Sequence, residues 1–379
     1  MSDIRVPLNA PDLGERERQY VHEALATGWV TTGVFVERLE EAFARRVGRR
    51  YAIACSSGTA ALWLALAAGM PRGTRVLTQA YVCDAVSNAA FFATGRAPLV
   101  ADVDFGTWGL QAVEAQRLFE ACEQQVDHEP GALVFAHTYG VPTRDTEALV
   151  ALGRARGVLV VEDASEAHGA AIGLRPVGSF GDVSVFSARG EKSLSGGQLG
   201  LLATDDADLA RRARQLLENG LPCRTLRFWS TRPAFNAQPS HLNAALACAQ
   251  LERLDELVKA REAVHRRWRA LFAEVNGVEF QAVHGTPAWW LTGLILYPEF
   301  TPLLPQDIAT GLAAVGIETR PGFYPIHRMP HCVGTNLAGP CPVSDLLLRQ
   351  LLILPSGPTV TESQQEYVMR ELFRLIGRE

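Results

Sequence analysis

The chain reads as an α/β protein, with a large domain built on a mostly parallel sheet and a smaller α+β domain after it. Three observations predict this. Short apolar, β-branched runs alternate with helical stretches of about 10–14 residues through the first two-thirds of the sequence, the pattern of βαβ units in a sheet covered on both faces. From His241 onward the texture changes to a long amphipathic stretch followed by strand–helix pieces. Finally, 379 residues, 47% hydrophobic and 20% charged, suit two lobes with a large core better than one small domain.

Taken in order, helices are expected near 14–26 and 34–46, in a segment that packs beside or across the functional site. YAIAC (51–55) is a strand that leads into the helical GTAALWLALAAG, and TRVLTQ (74–79) leads into DAVSNAAFFATG. The runs APLVADVD (97–104) and ALVFAHTYG (132–140) follow. TEALVALGRARG then ends on a glycine in the position that closes helices. VLVVED (158–163), DVSVFSA (182–188) and GLLATDD (200–206) complete the strands of the large domain, placed at residues 1–240. HLNAALACAQLERLDELVKAREAVHRRWRALFAEV has apolar residues at three- and four-residue spacing and reads as one connecting helix. WWLTGLILYP, PQDIATGLAAVG, LLILPSG and TESQQEYVMRELFRLIG supply the smaller domain, so the second unit runs 241–379.

Charge and composition exclude several classes. A net charge of −5 gives no basic face for nucleic acid. No apolar run approaches the roughly 20 residues that span a bilayer, and MSDIRVPLNAPD has no apolar signal core. Seven scattered cysteines without a CxxC pair suit reduced thiols in a cytoplasm and no zinc site.

In open α/β sheets ligands bind at the carboxyl ends of the strands, so the polar residues after each apolar run carry the chemistry. Ser57, Gly58 and Thr59 in SSGT open a helix; its free amides either receive a phosphate or are simply capped by a side chain. Asp163 ends VLVVED and could serve a ribose, a metal, a protonated ring nitrogen or the next helix. His168 could serve a ligand or be a satisfied structural imidazole. No GxGxxG occurs, which removes the phosphate loop of a dinucleotide site.

Lysine is nearly absent: of 36 cations only Lys192 and Lys259 are amines. Lys259 lies in ERLDELVKARE, a charged helix face. Lys192 lies in the small-residue loop SARGEKSLSGG after a core strand, and only an amine, never a guanidinium, can form a Schiff base. Its Glu191 neighbour breaks the G-K-[ST] requirement of a nucleotide-binding loop. A phosphate loop, a strand-end acid and a strand-end lysine suit pyridoxal phosphate: donors for the phosphate, an amine for the aldehyde carbon, a carboxylate for the ring nitrogen.

The sequence resembles the DegT/DnrJ/EryC1/StrS sugar aminotransferases, of fold type I. The motifs are P-L-x-x-P-D-L-G-x-x-E, GWVTTG (28–33), CSSGTAAL (55–62), GRAPLVADVD (95–104), HTYGVP (137–142), VEDASEAHGA (161–170) and GDVSVFS (181–187), with Lys192 five residues beyond Ser187. ETRPGFYPIHRMP and LPSGP look most like the branch that includes GDP-perosamine synthase.

The resemblance implies that Lys192 holds the cofactor and moves a proton, and that Asp163 pairs with the pyridinium. Glu166 would lie near the ring hydroxyl, where many relatives have Gln, and Gly58, Thr59 and Ser187 would hold the phosphate. Asn236 would reach the phosphate of a neighbouring subunit, making a homodimer with shared sites. Thr31, Arg320, Tyr324 and His327 would contact the substrate, and Tyr81 or Cys83 would stack on the ring. The implied reaction transfers an amino group, from L-glutamate, to a nucleotide-linked 4-keto-6-deoxyhexose in amino-sugar biosynthesis. Amination of a keto-cyclitol, a sugar 3-dehydration (which replaces this lysine by histidine) and a non-catalytic PLP-binding role are the alternatives. Three departures point to a nonstandard substrate: Gln238 where the G-x-N-x-R segment has Arg, GGQLG (196–200) for G-E-G-G, and AYVCDAVSN (80–88) for T-F-x-A-T-x-N.

Overall fold

The computed structural model describes residues 5–125, 129–221, 226 and 228–378; Cys223 lies outside them. Two helices, α1 (Glu15–Ala26) and α2 (Val34–Val47), precede the first strand, as their periodicity predicts. Alternation then gives β1 (Tyr51–Cys55), α3 (Gly58–Gly69), β2 (Arg75–Gln79), α4 (Ala85–Thr94), β3 (Leu99–Ala101), α5 (Ala112–Glu123), β4 (Pro130–Ala136), α6 (Thr146–Ala155) and β5 (Leu159–Asp163). A small hairpin, β6 (Ala171–Ile172) and β7 (Arg175–Pro176), leads to β8 (Val183–Ser187), β9 (Gly200–Thr204) and α7 (Ala207–Leu217).

These strands form a seven-stranded sheet in the order β1-β9-β8-β5-β4-β2-β3. Pairings among β8, β5, β4, β2 and β3 are parallel. The expectation of a mostly parallel sheet holds, with one exception: β9 runs antiparallel to both β1 and β8. The physical reason is the connection. A parallel return needs a crossover, usually helical, whereas residues 188–199 contain no helix, so the chain turns straight back. That turn is the lysine loop.

Apolar side chains of α3, α4 and α7 pack against one face of the sheet, and those of α5 and α6 against the other. Helix α3 is buried almost all round, which explains why GTAALWLALAAG carries no polar face.

The single connecting helix expected over 241–275 is instead two, α8 (His241–Glu252) and α9 (Leu254–Leu271), broken at Arg253. Arg253 is pinned by Asp12 at 2.7 Å, Glu17 at 3.2 Å and Glu256 at 2.9 Å, and Gln250 beside it donates to Glu17 and to the Asp12 carbonyl. The break is therefore set by the N-terminal segment packing into the joint, a tertiary cause that no periodicity records. Beyond it, β10 (Val278–Phe280), β11 (Thr292–Leu296), α10 (Pro305–Ala313), β12 (Arg320–Pro321), α11 (Pro342–Gln350), β13 (Leu351–Leu354) and α12 (Glu362–Leu375) follow. The four strands form an antiparallel sheet, β10-β11-β13-β12, whose core includes Trp268, Phe272, Leu294, Leu352 and Leu372.

The N-terminal segment is sewn onto this second sheet. Val6 bridges Ile317, the Leu8 amide donates to Glu318 at 2.9 Å, and the Ser356 amide donates to the Leu8 carbonyl at 2.7 Å. Among the described residues no helix is long and apolar enough to cross a membrane.

Candidate active site

The carboxyl ends of β4, β5 and β8 and the start of α3 open onto a cavity of about 540 Å³. Of the residues singled out from sequence, Ser57, Gly58, Thr59, Cys83, Asp163, Glu166, Ser187, Lys192 and Arg320 line it. At its phosphate-like end the Ser57 hydroxyl accepts from the Ala60 amide, so that side chain is an N-cap. The first-turn amides of Gly58 and Thr59 have no preceding helical carbonyl to bond and sit at the positive end of the helix. A β-carbon on Gly58 would stand 2.7 Å from that of Ser187, so only glycine lets the helix start this close to the end of β8. Gly200 on β9 is equally constrained by the Ser57 carbonyl. This close approach makes an anion cradle of backbone amides beside the Ser187 hydroxyl.

Lys192 is buried, with its ammonium 3.4 Å from Glu166 Oε1 and 3.2 Å from the centre of the Trp290 ring. Glu166 Oε2 accepts from the Tyr139 amide at 2.7 Å. Burial pushes the Glu166 carboxyl above its ordinary value, although Lys192 opposes the shift. Asp163 Oδ1 accepts from the Ser165 amide at 3.0 Å. Burial raises its carboxyl too, against the pull of Ser165, Lys192 and His137. A buried carboxylate held above its usual range is one that a further cation would stabilise. The donor set therefore fits pyridoxal phosphate: amides and a hydroxyl for the phosphate, an amine near two acids, and a carboxylate short of positive charge.

Beneath Asp163, Glu162 is fully buried and accepts from Gly178, Phe180 and Gly181 amides and from His137. The Thr143 amide donates to His137 Nδ1, so the imidazole proton is on Nε2, facing Glu162. Burial opposes the charge of Glu162, but His137 and the amides outweigh it and hold the carboxyl below the usual range. Stability from this group is therefore full above the unfolded carboxylate's value and is lost as pH falls through the lower folded one. Glu162→Gln is expected to lower stability by about 2 kcal/mol at pH 7, with the difference from wild type shrinking towards pH 3 in urea titrations.

Other candidates lie elsewhere. Tyr81 does not line the cavity: its hydroxyl bonds that of Tyr139 at 2.9 Å and accepts from the Phe323 amide. Cys83, from the same turn, does line it. His168 stands behind the site, between Phe43 and Phe186, and donates from Nε2 to the Ser187 carbonyl at 2.8 Å. Burial pushes its imidazole down to about 4, so it is neutral. His327 bonds Asp345 at 3.1 Å, Tyr324 is exposed, and the Asn236 amide oxygen accepts from the Gln238 backbone. Thr31 and Gln238 line a separate cavity of about 900 Å³. Trp290 lines the lysine cavity without having been singled out from sequence, beside Arg189, Gln198 and His137. Trp290 could have been suspected from the adjacent tryptophans of AWWLTG.

Residues 11–373 match the model of the DegT/DnrJ/EryC1/StrS aminotransferase family. The chain belongs to that family. GDP-perosamine synthase of Caulobacter vibrioides is 33% identical over 392 residues, covering 99% of this chain and 100% of the relative. The spore coat polysaccharide biosynthesis protein SpsC of Bacillus subtilis is 32% identical, covering 86% and 85%. Among solved structures, the aminotransferase TlmJ of Streptoalloteichus hindustanus superposes with a TM-score of 0.85 at 26% identity, covering 97% of both chains. DesI, crystallised with its TDP-sugar product, gives 0.84 at 27%, covering 99% of this chain and 93% of its own. This member of the DegT/DnrJ/EryC1/StrS family is a pyridoxal-phosphate-dependent aminotransferase of fold type I.

Proposed function

We propose that the enzyme transfers an amino group, from L-glutamate, to a nucleotide-linked 4-keto-6-deoxyhexose in amino-sugar biosynthesis. The observation that carries this is the buried Lys192 ammonium facing Glu166 in the cavity that Asp163 and the Gly58–Ser187 cradle also line. The names of the relatives supply the sugar-nucleotide class.

Bound pyridoxal phosphate supplies a carbonyl that can take up an amino group and a ring that spreads the charge left on the neighbouring carbon. In this reading the Gly58 and Thr59 amides and the Ser187 hydroxyl hold the phosphate, with Ser57 and His168 fixing the turn and strand end around it. Asp163 would pair with the ring nitrogen, and Glu166 would lie near the ring hydroxyl. Cys83, which lines the cavity where Tyr81 does not, would touch the ring face. Lys192 Nζ would hold the cofactor and, once free, would carry a proton to or from the substrate carbon, held meanwhile against Glu166 and Trp290. Arg320, whose Nε has no hydrogen-bond partner among the described residues, lies in the cavity near the Trp290 and Phe323 rings. It suits a carboxylate of the amino donor.

We further propose a homodimer with shared sites and a division into lobes at 240/241. Thr31 and Asn236 lie outside their own chain's lysine cavity, on segments with exposed Trp29, Trp229 and Phe235. That placement suits service in a partner's site, with Tyr324 and His327 left to the sugar nucleotide.

The test loads the protein with pyridoxal phosphate, adds glutamate alone, and follows the change to the amine form. Nucleotide-linked 3-keto and 4-keto sugars and keto-cyclitols are then supplied, and products identified by mass and NMR. A protein that stays colourless with the cofactor, or that turns over only cyclitols, overturns the reading. Arg320→Gln is expected to raise KM for the donor by about 10–100-fold, the loss of one charge-assisted pair, with the half-reaction towards the sugar little changed.

A further inference from the structure

Arg261 of α9 is a buried cation whose surroundings contain no acid. It is 2% exposed, and among the described residues no carboxylate lies within ion-pair distance. Nη1 instead donates to Asn9 Oδ1 at 2.7 Å and to the main-chain carbonyls of Trp290 and Ser356, both at 3.1 Å. Its Nε is buried without a partner. Keeping a charge in the interior on neutral acceptors is unfavourable, so what those acceptors do next is informative.

Two of the three residues converge on one atom. Asn9 Nδ2 donates to the Glu191 carbonyl at 2.6 Å, and Trp290 Nε1 donates to the same oxygen at 2.9 Å. Glu191 immediately precedes Lys192. The Trp290 ring that this bond orients is the ring over which the Lys192 ammonium lies at 3.2 Å. The lysine loop therefore receives, from outside its own sheet, a double clamp on its backbone and an aromatic face for its charge.

We propose that Arg261 is a positioning residue for Lys192, gathering Asn9 and Trp290 so that together they fix the Glu191 carbonyl and the ring beneath the amine. This rests on the assignment of Lys192 as the amine that holds the cofactor. The guanidinium suits the task because its Nη1 lies within hydrogen-bond reach of a side-chain amide and two backbone carbonyls from three chain segments.

The experiment uses the full-length protein stripped of cofactor. Pyridoxal phosphate is added, and the appearance of the visible band, borohydride-trapped label on Lys192, and visible circular dichroism per bound cofactor are followed. In Arg261→Met the trapping rate is expected to fall by about tenfold or more, the range for a reacting group slightly misplaced, and the dichroism to weaken. Arg261→Lys should recover part of both. Asn9→Ala, which removes one clamp while keeping the guanidinium, should lie between and serves if Arg261→Met does not fold. A lower melting temperature with rate and dichroism unchanged in Asn9→Ala and Arg261→Lys would overturn the proposal. Absence of label on Lys192 in the unmodified protein would instead remove the assignment it rests on, and the proposal with it.

Discussion

Lys192→Ala is expected to abolish the visible absorbance that develops on adding pyridoxal phosphate and to lower turnover by at least about four orders of magnitude. In the proposed reading it removes both the attachment point and the proton carrier, and residues acting as one unit fail together. The fold should survive, because the side chain contributes one contact to Glu166 and one to Trp290. The near absence of lysine gives this test unusual resolution. Borohydride reduction followed by peptide mass should label the Lys192 peptide and leave exposed Lys259, on α9, untouched. Label on Lys259, or a variant that still develops the band, is the result that contradicts it.

Asp163→Asn is expected to keep cofactor binding and colour while turnover falls by about 10²–10³, the loss produced when one preorganised electrostatic partner is removed. The amide matches the carboxylate in shape and can still accept from the Ser165 amide. What it lacks is the negative charge that would keep the ring nitrogen protonated. The measurement is a single-turnover rate with glutamate beside a cofactor-binding titration; equal losses in both would point to a folding defect, and an unchanged rate would reject the role.

Much of the large sheet could be read from the chain because local and tertiary causes agree there. YAIAC is a strand at 51–55, and its following helix starts where the SSGT turn predicts. Burial on both sides makes these strands continuously apolar, and turn residues mark their ends. What the local sequence did not record depended on other parts of the molecule. Reversal of β9 follows from a short loop between two strands whose partners are distant in sequence. The break at Arg253 follows from Asp12 and Glu17, more than 230 residues away. Within the cavity, side chains at strand ends after SSGT, VLVVED and DVSVF were legible, since the topology of the sheet brings such ends together. Trp290 was not, because it enters from β11's approach in the second sheet, and of the two candidates Tyr81 and Cys83 only Cys83 lines the cavity. An aromatic residue in the right motif gave no information about which way its turn points.

The strap formed by residues 5–12 has a temporal consequence. Leu8 and Glu318 are separated by 310 residues and Arg5 and Gln364 by 359. At ribosomal rates of about 5–20 residues per second, the partner of Leu8 emerges roughly 15–60 s after Leu8 itself. For most of that interval the Glu191 carbonyl lacks its tryptophan, and until the interval ends the strand carrying Asn9 lacks its Glu318 anchor. The large sheet can therefore form during synthesis, but the lysine loop acquires its final geometry only when the last third of the chain arrives. A nascent or shortened chain would hold a sheet without a competent amine, leaving the reactive aldehyde of the cofactor unclaimed until assembly is complete.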